Sequence, residues 1–173
     1  SLEVALDELA ALGVKYVEPA SVDKIFQHLV EEDFCDTRAA WLGRELAARR
    51  LACLSLSVHM DLTGPDAVDR FHRRLTFARN VGARCVNSIA GPVGKLEAFR
   101  RNIAAIADRA RDLGIMIALE NHGDLLDREQ QVLDFTHRSR LALSLVAAAY
   151  DQRPGFRFAP AEAPDVIKLL VEQ

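Results

Sequence analysis

Cysteine is scarce in this chain: Cys35, Cys53 and Cys85 are the only three among 173 residues. An odd number with no metal-type spacing excludes a disulfide framework and a zinc knuckle, and reads as reduced thiols in a cytoplasmic protein. Cys53 and Cys85 fall inside predicted strands, as small core residues. No apolar run is long enough to span a bilayer and no signal peptide is read, so no membrane partner is expected. An excess of one charge is missing too. With 22 Lys and Arg against 25 Asp and Glu, the formal charge is −3. A nucleic-acid partner is therefore not expected, because a duplex binder carries basic groups to replace counterions. The runs Arg49-Arg50, Arg73-Arg74 and Arg100-Arg101 each lie on a predicted helix with acids nearby, and read as solvated helix surface.

What is present is ordinary globular material, 50% hydrophobic and 27% charged, enough for one domain over residues 1–173 with a sizeable core. A unit recurs along it. Leu2, Leu6, Leu9 and Leu12 share a helical face, Gly13 stops that helix, and residues 14–18 read as a strand ending at Glu18. Phe71, Leu75 and Ala78 make a second stripe, stopped by Gly82 before a strand over 84–89. Leu96, Phe99, Ile103, Ile106, Ala110 and Leu113 make the clearest stripe. Gly114 closes it, and Ile115 to Leu119 runs into Glu120. A helix over about residues 37–50 lacks a stop glycine but feeds a strand over 51–58 that ends at His59. Beyond these, a helix is expected over about 127–138, a strand over 141–146, and a last helix over 164–171 with proline near its first turn.

Strands spaced roughly 30 residues apart with helices between them signify βαβ units and a parallel sheet. An open dinucleotide-binding sheet requires a glycine-rich turn after its first strand. The glycines Gly91 and Gly94 follow the wrong strand, with Pro92 between them. Polar residues instead end the strands: Glu18, His59, Asn87 and Glu120. In a parallel barrel that rim is where function is built. The fold class expected is therefore α/β, a partial (β/α) TIM-type barrel of about five strand–helix units out of eight. A complete barrel takes about 250 residues, so this chain reads as the middle of one, beginning at Ser1 with the helix that follows a first strand.

The break from apolar strand to Glu120-Asn121-His122-Gly123-Asp124 is the strongest candidate for chemistry. A carboxylate there faces the barrel mouth, where hard divalent cations take oxygen ligands and Mn²⁺ also accepts imidazole. Glu120 suits the first role, and His59 or His122 the second. The structural alternatives are an ion pair of Glu120 with a strand-end Lys or Arg, a core role for His59 bonded to a backbone carbonyl, and a loop role for His122. Glu18, followed by Pro19, reads as a rim carboxylate with a structural partner. His28, His72 and His137 read as surface or packing residues.

The order Leu-Gly-Val-x-Tyr-Val-Glu, Ser-Val-His-Met-Asp and Leu-Gly-Ile-x-Ile-Ala-Leu-Glu-Asn-His resembles the xylose isomerase-like barrel superfamily, from Ser1 to about Asp124. That group includes sugar phosphate isomerases and epimerases, hydroxypyruvate isomerase and endonuclease IV. The resemblance implies a divalent metal (Mn²⁺, Mg²⁺ or Co²⁺) held by Glu120, which in the epimerases is also an acid/base residue. It implies His59, Asn121 and His122 beside a small sugar-like substrate. The family's second ligand is an aspartate on the next strand. Here that turn is replaced by residues 147–155, where Asp151 is the acid available to substitute. The function implied is a sugar or sugar-phosphate isomerase or epimerase working by metal-assisted proton transfer next to a carbonyl, with homo-oligomerisation open. The alternatives are a catalytically incompetent fragment or remnant of the barrel, and DNA repair of the endonuclease IV type, against which the acidic balance and histidine-poor strand ends argue.

Overall fold

The computed structural model describes residues 1–120 together with the strand at 142–143. Helices and strands alternate: α1 (Leu2–Ala11), β1 (Tyr16–Val17), β2 (Ser21–Val22), β3 (Phe26–Gln27), α2 (Asp36–Ala48), β4 (Ala52–Cys53), β5 (Ser55–Ser57), α3 (Ala67–Val81), β6 (Cys85–Ile89), α4 (Leu96–Leu113), β7 (Met116–Glu120) and β8 (Ala142–Leu143). A single 3₁₀ turn, Glu31–Asp33, precedes α2. Strands β5, β6, β7 and β8 lie in that order in one sheet, β1 pairs with β4, and every one of these pairings is parallel. The expected helix over 127–138, the rest of the strand over 141–146 and the helix over 164–171 lie outside the described residues.

Four helices end by one device. An N–H two or three residues past each helix returns to a carbonyl five positions earlier: Val14 to Leu9, Leu51 to Leu46, Ala83 to Ala78 and Ile115 to Ala110. This closure needs a left-handed residue just before it. Gly13, Gly82 and Gly114 supply that conformation in three cases, at φ of 76°, 87° and 66°. Arg50 supplies it in α2 at φ 56°, which explains how a helix without a stop glycine still turns into its strand. Each closure aims the chain back toward the sheet, and the next strand begins within two residues.

The segment read as one strand over 51–58 is broken at Leu54. Its carbonyl accepts from both Arg84 N (2.9 Å) and Cys85 N (3.3 Å), so two residues entering β6 face one residue here, as in a bulge. The sequence also gives no warning of β2 and β3. These form an antiparallel hairpin between β1 and α2, because Lys24 turns the chain at φ 66°.

The core lies between the sheet and the helices. Leu56, Val86, Ile117 and Leu119 point outward from their strands against Leu42, Leu46, Phe71, Leu75, Phe99, Ile103 and Ile106, and all are buried. The stripe expected for α1 holds for Leu2 and Leu6, but Leu12 is 78% exposed, since the helix has ended at Ala11 and the chain is already turning. A second correction concerns the basic runs. Arg50, Arg100 and Arg101 are exposed as expected. Arg74 is not solvated surface: its exposure is 0%. It lies under the 20–34 segment, which the sequence left unassigned.

Candidate functional site

Register decides which side chains share the inner face. Asn87 pairs with Ala118, Ile89 with Glu120 and Ser57 with Asn87. Successive side chains alternate between faces, so Ser55, Ser57, Asn87 and Glu120 fall on the face turned away from the helices. His59 continues that parity past the end of β5, and Glu18 continues it from Tyr16. Glu18, His59 and Glu120 lie at or just past the carboxyl ends of their strands, whereas Asn87 is in the middle of β6 and Ser55 opens β5.

Glu120 closes β7 and is only 7% exposed. Its Oε2 lies 3.4 Å from His59 Nε2, and its Oε1 accepts from Asn87 Nδ2 at 3.3 Å. The same Asn87 Nδ2 donates to Glu18 Oε1 at 3.2 Å. Glu18 Oε2 in turn accepts from the Ser55 hydroxyl. One amide thus ties two carboxylates together, and an imidazole stands at the buried one. Asn87 Oδ1 is buried and has no hydrogen-bond partner among the described residues.

The backbone around His59 is held from both sides. Val58 N donates to Asn87 O (2.8 Å), and Asp23 N of the hairpin donates to His59 O (2.9 Å). After His59, Asp61 Oδ1 accepts from Thr63 N at 2.8 Å and from its hydroxyl at 2.6 Å, and Asn102 of α4 donates to Leu62 O and Gly64 O, both at 2.9 Å. Gly91 packs against this turn at φ 118°, where an added Cβ would lie 2.5 Å from Asp61 Oδ1. The loop therefore needs glycine for space as well as for backbone angle.

The structure brings Glu120 and His59 together, and joins to them Glu18 and Asn87, neither of which was expected to be catalytic; Asn87, expected at a strand end, lies in the middle of β6. Glu18 has structural partners, as expected, but they are a serine and an amide. His59 presents its ring to Glu120, and its own carbonyl accepts from the hairpin. Asn121, His122 and Asp151 lie outside the described residues. His28 and His72 are packing residues: His28 Nδ1 accepts from Ala20 N at 3.1 Å and His72 Nε2 lies 3.3 Å from Ala105 O. Burial, reinforced by the charge of Glu18, pushes the Cys53 thiol up to about 12 and the Cys85 thiol to about 11. Both thiols therefore stay protonated at neutral pH, consistent with inert packing.

The ligating atoms around Glu120 are carboxylate oxygens and an imidazole nitrogen, a set that suits a hard or borderline divalent ion. Among the described residues, no group of three His, Cys, Asp or Glu side chains converges as a complete metal site. Also among these residues, no helix is long and apolar enough to cross a membrane.

Parallel strands joined by helices, with polar side chains gathered toward the strands' carboxyl ends, mark a partial TIM-type βα barrel with a candidate site on the rim. The chain belongs to the xylose isomerase-like TIM barrel family, whose model matches residues 6–142. It is similar to a xylose isomerase-like TIM barrel protein from Mycobacterium smegmatis in complex with magnesium, with 18% identity and a TM-score of 0.65, over 98% of this chain and 62% of that one. It is similar to the IOLI protein with a zinc atom, at 17% identity and a TM-score of 0.60, over 83% of this chain and 55% of that one. A sugar phosphate isomerase/epimerase from Parabacteroides distasonis aligns at 12% identity and a TM-score of 0.52, over 99% of this chain and 58% of its own. The chain thus spans between 55% and 62% of the length of these three. At such identities the likeness establishes the fold. No curated protein matches the chain.

Proposed function

We propose that the protein is a sugar or sugar-phosphate isomerase or epimerase of the xylose isomerase-like kind, moving a proton next to a carbonyl with the help of a divalent metal ion. The observation that carries this reading is the buried Glu120 carboxylate at the end of β7, with one oxygen fixed by Asn87 and the other facing His59. The relatives support it: one is a sugar phosphate isomerase/epimerase, one holds magnesium and one zinc.

Glu120 would hold the metal from this chain, with Asp151 as a second carboxylate. The metal, when bound, supplies a Lewis acid for the oxygen charge that builds up as the proton leaves. The rest of the work falls to side chains. Glu120 takes the proton from the carbon next to the carbonyl and returns it, a role in which a positioned base contributes about 10²- to 10⁴-fold. Asn87 leaves Glu120 Oε2 turned toward the reacting face by occupying Oε1. His59, Asn121 and His122 would orient the substrate hydroxyls. The burial of Glu120 keeps bulk water from competing with that oxygen.

The test is solvent deuterium uptake at the carbon next to the carbonyl of small ketoses, followed by NMR in D₂O with Mn²⁺. Glu120→Gln keeps the shape and removes the base, so uptake is expected to fall by at least about 100-fold. Uptake unchanged in that variant sinks the assignment.

A further inference from the structure

Residues 20–34 form a strap across the rim between β1 and α2. Its base is closed by His28, whose N–H donates to Ala20 O at 2.8 Å, and it joins the sheet where Ser57 N donates to Pro19 O at 3.1 Å. Its tip carries Asp23. The Asp23 amide is the group that bonds the His59 carbonyl.

The strap is gripped from outside by α3. Arg70 and Arg74, one helical turn apart, lie on a shared face of that helix. Arg70 Nη2 donates to Asp23 Oδ2 at 2.8 Å and to Glu31 Oε2 at 2.9 Å. Arg74 Nη2 lies 3.3 Å from Asp23 Oδ1 and 2.8 Å from Glu31 Oε2. The Arg74 guanidinium also stacks 4.7 Å from the centre of the Phe34 ring. Among the described residues its Nε and Nη1 are buried without a hydrogen-bond partner. A guanidinium buried with unmet donors is an expensive way to fasten a loop, since apolar packing would stabilise as well or better. What the charge adds is direction, because it fixes where the Asp23 carboxylate and hence its amide must sit.

We infer that Asp23 is a positioning residue for His59, and that Arg70 and Arg74 act on the site through it. The path is continuous: guanidinium to Asp23 carboxylate, Asp23 amide to His59 carbonyl, His59 ring to Glu120. With Val58 N tied to Asn87 O on the opposite side, the strap amide completes the fixing of the backbone that carries the imidazole. The inference rests on the reading of His59 and Glu120 as the site.

Asp23→Asn tests it, because the variant keeps the size and the amide and loses the charge that the arginines hold. Two signals are read at one fixed pH: hydrogen exchange of the residue 23 amide and the ¹⁵N resonances of the His59 ring. The amide should exchange about tenfold faster. The His59 ring signal should move in the direction it takes in Glu120→Gln, where the partner itself is removed. The His72 ring, on the same helix as the arginines, should stay in place, and Asp23→Glu should restore part of the His59 signal. An unchanged His59 ring in folded Asp23→Asn overturns the inference even where the amide opens, because the cluster would then be merely structural. If Asp23→Asn loses its cooperative melt, Arg70→Gln is read by the same two signals with the same decision. Neither signal depends on turnover, so the inference and the proposed reaction fail separately.

Discussion

At the scale of one residue, Asn87 offers a single NH₂ group to two carboxylates. Asn87→Asp exchanges this donor for a third acid of nearly the same shape. Like charges at close range raise carboxyl pKa values in the folded state. The sign follows from linkage: a carboxyl raised on folding costs nothing below its unfolded pKa, and the cost grows as pH climbs through the raised value. The melting temperature of Asn87→Asp is therefore expected near that of wild type at pH 4 and well below it at pH 8. The full cost at pH 8 is about 2–3 kcal/mol, from the lost charge-assisted bonds and the repulsion together. Equal deficits at both pH values would mean that Asn87 does not bridge the two acids. Strand parity alone places Asn87 on the rim. Its partners depend on the register of β6 against β7, in which Asn87 lies opposite Ala118 and reaches diagonally to Glu120, and the amino-acid pattern of either strand carries no record of that register.

At the scale of elements, the helix closures were the most legible feature, since Gly13, Gly82 and Gly114 all mark left-handed positions. The exception gives a prediction. Arg50 holds the same conformation at φ 56°, at a cost of about 1–2 kcal/mol for an L-residue. Arg50→Gly removes that strain and adds some unfolded-state freedom. The expected net is about 1 kcal/mol of stabilisation, read as a melting temperature about 2–4 °C higher. The strap was not legible. Its strands are two residues each, too short for alternation to register. The acids that bury Arg74 lie 51 residues away at Asp23 and 43 positions away at Glu31 (74 − 31). Its pH response follows from Glu31. Burial pushes that carboxyl up, but hydrogen bonds from Arg70 and Arg73 and the charges of Arg74 and Arg70 outweigh burial, and the net shift is down. A depressed carboxyl contributes stability that is complete above its unfolded value, about 4.3, and is lost as pH falls through the lower folded value. Glu31→Gln should therefore melt below wild type at pH 7, with the gap narrowing as pH falls below about 4. A gap independent of pH would place the effect in packing instead of charge.

At the scale of the molecule, the repeat of helix, left-handed stop and strand was enough to read a parallel barrel segment, because each unit must bury its apolar faces against the next. The family followed from Glu120-Asn121-His122 and its neighbours. Of the candidate site, Glu120 and Asn87 lie on strands that the described sheet pairs directly, and His59 lies two residues past the end of β5. Asp151 and His122 lie outside the described residues. Whether Glu120 holds a divalent metal is read from a thermal melt of the purified protein with and without Mn²⁺, beside Glu120→Gln. Ligand bound to the native state alone stabilises it by about 2.7 kcal/mol at a hundredfold excess over its Kd. Mn²⁺ is expected to raise the wild-type melting temperature and to leave that of Glu120→Gln where it was. No rise in wild type, or the same rise in both, would contradict metal binding at Glu120.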